Sequence, residues 1–207
     1  EVNWDVAAAE KEGFEHFMIK EIHEQPKAVK DTMTSRVLPD SADIKLDDIK
    51  LTKEELQKFD RIYMVACGTA YHACMVGKYV IEKLARIPVE VEIASEFRYR
   101  NPIVNEKTLT IIVSQSGETL DTLAALKEAR KKGSRILSIV NVVGSSIARE
   151  SHDVLYTWAG PEIAVASTKA YNTQLAALYL FALKLAKQKG ELSEESYQDL
   201  VGDIICW

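Results

Sequence analysis

This chain has few of the residues that usually betray a function early. Cysteine occurs only at Cys67, Cys74 and Cys206. That odd number, with no C-x-x-C spacing, excludes a disulfide framework and a zinc knuckle, and suits reduced thiols in a cytoplasmic protein. The four histidines, His16, His23, His72 and His152, form no metal-ligand spacing with cysteine or with each other, so no metal is expected. No basic stripe or tail exists, and the formal net charge is −5. Nucleic acid is therefore excluded as a bulk partner. No apolar run is long enough to span a membrane, and Glu1 opens no signal-peptide pattern. The common nucleotide fingerprints are missing too. No Gly-Lys-Ser/Thr closes a glycine-rich loop, and the three-glycine dinucleotide spacing is absent.

What is present is a chain of 207 residues with 47% hydrophobic content, enough for one substantial domain with a buried core. The stretch around which it is organised is Ser114-Gln115-Ser116-Gly117-Glu118-Thr119. The apolar run Leu109–Val113 feeds into it and a helical pattern, Leu120–Lys132, leaves it. Strand, polar corner and helix in that order set hydroxyls and amides at a helix N-terminus, a candidate anion site. On the hexapeptide alone an ordinary cap stands beside that reading, with Ser116 capping and Glu118 and Thr119 in the first turn.

Residues 1–33 are charged and periodic. Phe14, Phe17, Met18 and Ile22 fall at helical spacing, and Pro26 predicts a break into two helical pieces. Residues 36–50 read as a connector or small ordered loop. Thr52 with Glu55 predicts a capping box for a short helix to Phe59. Strands are expected at 61–66, 89–93, 109–113, 135–140 and 153–158, the second an edge strand because it alternates. Helices are expected after Cys67-Gly68-Thr69 to about Arg86, from Leu120 with Leu120, Leu123, Ala124 and Leu126 inward, near 145–150, over 168–189, and from Ser193 onward. The helix over 168–189 is apolar on most sides, so it is buried either in its domain or in a partner interface.

Buried strands alternating with helices imply a parallel sheet covered on both faces. The predicted fold is a three-layer αβα domain with a five-stranded parallel sheet in flavodoxin-like order, plus an N-terminal helical extension. In that order Cys67-Gly68-Thr69, ending the first strand, and Ser114–Thr119, ending the third, open into one crevice. Their convergence favours phosphate over a simple cap.

With both corners in view, the chain resembles a sugar isomerase (SIS) domain. More narrowly it resembles the first of two such subdomains in the isomerase portion of the glutamine–fructose-6-phosphate amidotransferases. The match rests on His16-Phe-Met-Ile-Lys-Glu-Ile22 with Glu24-Gln-Pro26, Ala66-Cys-Gly-Thr69, and Glu92–Phe97. It continues through Ser114–Thr119, Gly144-Ser-Ser146, Arg149-Glu150, and Ala159-Gly-Pro-Glu-Ile163 with Val165–Ala170. The resemblance implies that Ser114, Ser116 and Thr119 hold the phosphate of fructose 6-phosphate. Gln115 and Thr69 would add polar contacts, and Val165 and Ser167 would meet the sugar. Lys169 is expected to form a structural ion pair. One position departs: Ala70 stands where the family carries Ser, so a sugar-facing hydroxyl is lost.

By the same resemblance the chain is expected to be a fragment of a larger enzyme. Residues 1–50 would be a helical extension, 51–190 the SIS domain, and 191–207 the approach to a second SIS domain. The glutaminase cysteine and the isomerase Glu and His have no counterparts here, so no catalytic residue is assigned in this chain. The parent reaction implied is ammonia transfer from glutamine to fructose 6-phosphate with isomerisation to glucosamine 6-phosphate. It needs no cofactor, since side-chain acids and bases can move the proton. A homodimer, with the glutaminase and second SIS domains as partners, is expected as well. The alternatives are a phosphosugar sensor, which would need a DNA-binding or other output region, and a stand-alone isomerase. The carboxylate available to the latter is Glu118, read here as structural.

Overall fold

The computed structural model describes residues 10–205. The helix expected over residues 1–9, Cys206, and the run of the last helix into Trp207 lie outside the described residues. Helix α1 spans Phe17–Thr34. A two-stranded antiparallel hairpin, β1 (Val37–Leu38) and β2 (Asp43–Ile44), follows it. Helix α2 (Lys53–Lys58) opens on the expected capping box: the Thr52 hydroxyl accepts from the Glu55 amide while Glu55 accepts from the Thr52 amide.

The domain proper alternates strand and helix. Its elements are β3 (Arg61–Ala66), α3 (Gly68–Ala85), β4 (Val89–Ile93), α4 (Ala94–Phe97), β5 (Thr108–Ser114), α5 (Leu120–Lys131), β6 (Arg135–Val140), α6 (Ser146–Glu150), β7 (Asp153–Tyr156), α7 (Lys169–Lys189) and α8 (Glu194–Ile205). All five strands from β3 to β7 are parallel, in the order β4-β3-β5-β6-β7. β3 therefore runs between β4 and β5, and the chain changes direction across the sheet there. This is the predicted flavodoxin-like order, with β4 at the edge.

Strand periodicity divides the core in two. Ile62, Met64, Ala66, Ile111 and Val113 face α3 and α7, while Tyr63, Val65, Ile112 and Val140 face α4, α5 and α6. Every residue of β5 is buried, as its central place requires. α3 lies close to the sheet because its inner face is small. A Cβ on Gly77 would sit 3.0 Å from the Met64 methyl and 3.1 Å from a Leu178 methyl. α7 is buried within the chain, against α1, α2, α3 and α8. α8 is tied down by Tyr197, whose hydroxyl donates to Asp43 Oδ1 at 2.8 Å and accepts from the Ile44 amide at 3.0 Å.

Three expectations need correction. Pro26 lies inside α1 and does not divide it. The carbonyl that a residue-26 N–H would have served is that of Ile22, and the Gln25 side-chain amide donates to it at 2.9 Å instead. Leu120 is not inward: it is 80% exposed, and α5 turns Thr122, Ala125, Leu126 and Ala129 to the core. The N-terminal helix also begins later than its periodicity predicts: residues 10–16 are not helical, so Phe14 precedes α1. Met18, Ile19 and Ile22 are solvent-exposed, whereas Lys20 and Glu21 are buried.

Candidate functional site

The site is assembled at the carboxyl ends of β3 and β5. Beyond Ser114 the chain turns sharply through Gly117, at φ +66°, before α5 begins. The buried Ser114 hydroxyl accepts from the Gly117 amide at 3.0 Å and shares a hydrogen bond with the Thr119 hydroxyl at 3.3 Å. The Ser116 hydroxyl accepts from the Glu118 amide at 3.2 Å. Thr119, rather than Ser116, is the N-cap residue of α5, and its side chain makes no cap hydrogen bond. The simple cap reading therefore fails. These hydroxyls organise a loop instead of closing the helix end.

That loop is fastened from behind by the β6–α6 connection. The Asn141 amide donates to the Gln115 carbonyl at 3.1 Å and the Ile147 amide to the Gly117 carbonyl at 3.0 Å. Glu118 Oε1 accepts from the Ser146 amide at 2.7 Å. The Ser146 amide and hydroxyl, with Arg149 nearby, hold the Glu118 carboxyl below its usual range. Glu118 thus supports α6 and is a poor base at neutral pH.

A second corner meets the first. α3 starts at Gly68 with Cys67 as N-cap, again without a side-chain cap. The Thr122 hydroxyl points to Cys67 Sγ across the junction, at 3.8 Å. The first amides of a helix have no intrahelical acceptor, and the helix dipole leaves them partly positive. Two such ends, on helices of 18 and 12 residues, converge here.

The third wall is the loop before α7. Glu162 binds it into shape by accepting from the Ser167 hydroxyl at 2.9 Å and from the Thr168 and Ala170 amides at 2.9 and 3.1 Å. Val165 at the loop tip is fully exposed, so it packs against nothing in this chain. Lys169 is buried in an ion pair with Glu24, 2.6 Å apart, as expected of a structural lysine. The walls enclose a cleft of about 420 Å³, within the size range of small-molecule sites.

Thr69, Ser114, Gln115, Ser116, Thr119, Val165 and Ser167 all line this cleft. So do residues that sequence reading passed over: Glu162, Thr122 and Gln174. Glu162 stood in a quoted motif without a role, and Gln174 carries no sequence signal, being one polar residue in an apolar helix. Gln174 is buried and its carbonyl oxygen has no partner. A slightly larger cavity, about 450 Å³, lies at the amino ends of the strands beside Arg135 and His152. Its lining includes the carboxylates of Glu55 and Glu106, and Arg135 is already paired with Asp153 at 2.8 Å, so for an anion the chemistry favours the smaller cleft. Among the described residues no cluster of His, Cys, Asp or Glu could hold a metal ion, and no helix is long and apolar enough to cross a membrane.

Comparison with known proteins identifies the family of the fold. The SIS domain family model matches residues 55–184, more than half of the chain. Glutamine–fructose-6-phosphate aminotransferase (isomerizing) of Caldanaerobacter subterraneus subsp. tengcongensis is 67% identical over 204 residues, which is 99% of this chain and 33% of that protein. The enzyme of the same name from Clostridium tetani is 64% identical over the same shares. The chain thus spans about a third of the length of these curated relatives. Among solved structures, the C-terminal domain of glucosamine-fructose-6-phosphate aminotransferase from Francisella tularensis superposes with a TM-score of 0.89 at 44% identity. It covers 95% of this chain and 55% of that one.

Proposed function

The chain belongs to the SIS domain family, and we propose that its cleft binds a sugar phosphate, fructose 6-phosphate in particular, as the first sugar-binding unit of an isomerising glutamine–fructose-6-phosphate aminotransferase. One observation carries the reading: two helix N-termini without side-chain caps, α3 and α5, meet over the hydroxyls of Thr69, Ser114, Ser116 and Thr119. A dianionic phosphate suits that arrangement, because partly positive amides and rotatable hydroxyls supply donors without a buried counter-charge. Ser116, Thr119 and Gln115 would take the phosphate, with Ser114 beneath them. Thr69, Val165 and Ser167 would meet the sugar. The high identity to the two aminotransferases supports fructose 6-phosphate as the sugar, and their greater length leaves room for glutaminase and second SIS domains.

In this assignment the chain binds and orients. The ammonia transfer and the proton shift that convert fructose 6-phosphate to glucosamine 6-phosphate would draw on groups outside it. The carboxylates at hand, Glu118 and Glu162, are committed to loop amides. A homodimer is supported by the outward apolar face of α1, Met18, Ile19 and Ile22, which suits a second copy. A cytoplasmic setting is supported by the free thiols of Cys67 and Cys74.

Calorimetric titration with fructose 6-phosphate, inorganic phosphate and fructose tests the proposal. Fructose 6-phosphate should bind most tightly and fructose not measurably. Equal affinity for fructose and its phosphate would overturn it.

A further inference from the structure

The N-terminal segment has so far had no task, although His16–Ile22 with Glu24-Gln-Pro26 forms a distinctive block. Its polar side chains turn inward, onto the loop that carries Val165 and Ser167. The buried Glu21 carboxylate accepts from the Ile163 amide at 2.6 Å and the Ala164 amide at 3.1 Å through Oε1. Its Oε2 is also buried and accepts nothing. Glu24 pairs with Lys169, and Gln25 accepts from the Asn172 side-chain amide. Further along, the buried Thr32 hydroxyl accepts from the Trp158 amide at 3.2 Å. α1 therefore bonds to the chain on both sides of the loop and, through Glu21, to the loop itself.

The two ends of the cleft are fastened by different side chains and share one tie, Asn141, whose backbone amide meets Gln115 while its side chain bonds Ala159 and Gly160 ahead of the other loop. The Ser114–Thr119 corner is fastened by the β6–α6 connection, through Asn141, Ser146 and Ile147. The Val165–Ser167 loop is fastened by α1 and by its own Glu162. A carboxylate is buried at real cost unless donors meet it, so two backbone amides pointing at Glu21 fix both partners in place. An exposed Val165 at the tip has no packing of its own to hold it.

We propose that Glu21 is a positioning residue for the sugar end of the cleft: by holding the Ile163 and Ala164 amides it presets the loop that presents Val165 and Ser167, and so governs recognition of the sugar but not of the phosphate. The proposal rests on the phosphosugar reading above.

The test compares Glu21→Ala and Glu21→Gln with the unaltered chain. Each is titrated calorimetrically with fructose 6-phosphate and with inorganic phosphate, while hydrogen exchange is followed at the Ile163 and Ala164 amides. Glu21→Ala should weaken fructose 6-phosphate about tenfold, the size expected when a ligand must itself order a few loop residues, and leave phosphate within about twofold. Both amides should exchange faster. Glu21→Gln keeps an acceptor oxygen and should recover most of the affinity and protection. Equal losses for both ligands would mark a merely structural role and overturn the proposal. Unchanged fructose 6-phosphate affinity with both amides freed would overturn it as well. An unaltered chain that binds neither ligand would instead sink the phosphosugar reading and the sugar role with it, while exchange at the two amides would still report whether Glu21 holds the loop.

Discussion

Gly117→Ala probes how the anion corner is built, and its effect can be worked from two independent terms. Gly117 has φ +66°, a left-handed conformation that costs an L-residue roughly 1–2 kcal/mol. An added Cβ would also lie 2.1 Å from Ser145 Oγ and 2.5 Å from Ser145 Cβ, far inside contact distance. Ser145 is 3% exposed and precedes α6, so it has little room to retreat. Overpacking of this kind costs about 1–3 kcal/mol. The sum, about 2–5 kcal/mol, is a large share of the roughly 5–15 kcal/mol that keeps a domain folded. The two terms separate in a cycle with Ser145→Gly. That change deletes both clashing atoms and loses no hydrogen bond, since Ser145 Oγ has no partner. The double variant should recover the steric part and retain the backbone part. Urea denaturation followed by circular dichroism measures all four proteins. A Gly117→Ala loss under about 0.5 kcal/mol, or no recovery with Ser145→Gly, would refute the argument that Ser145 makes glycine obligatory here. Affinity for fructose 6-phosphate should fall in Gly117→Ala as well, because the same turn sets Ser116 and Thr119.

Ser116→Ala should weaken fructose 6-phosphate by roughly ten- to a hundredfold, the worth of a hydrogen bond to a charged group, with circular dichroism unchanged. An unaltered dissociation constant would remove Ser116 from the site. Ala70→Ser returns a hydroxyl to the first turn of α3, where Ala70 lines the cleft, and should tighten fructose 6-phosphate about two- to tenfold without affecting inorganic phosphate. Equal tightening of both ligands would place that hydroxyl at the phosphate instead. His152 lies partly buried, and burial, Arg135 and Arg130 lower its pKa. The unfolded chain then holds the extra proton, so His152 adds stability above about pH 6.5 that is lost as the pH falls through its folded pKa. Melting temperature should drop through that window, and His152→Asn should flatten the drop. An identical slope in the variant would show that other groups set it.

Much of the architecture is determined by local pattern and is readable from the chain alone. Arg61–Ala66 and Arg135–Val140 are bounded by their pattern, because short, mostly apolar runs between polar corners have few other solutions. The α7 stop at Gly190 and the Thr52–Glu55 box were legible because end chemistry is encoded within a few residues. The pairing of the Gly68 and Ser114–Thr119 corners followed from topology, since a parallel sheet with one reversal of strand order has one place where two such corners face each other. What the sequence could not decide depends on partners distant along the chain. Pro26 stays inside an unbroken helix with a side-chain bond from Gln25 to the Ile22 carbonyl, which no propensity contains. The rotation of α5 that exposes Leu120 is decided by its packing, which buries Thr122, Ala125, Leu126 and Ala129 instead. The inward turn of Glu21 is settled only when residues 163 and 164, more than a hundred positions later, bring their amides to it. A pattern of apolar spacing specifies that a helix has two faces, but which face is buried depends on what the tertiary structure sets against it.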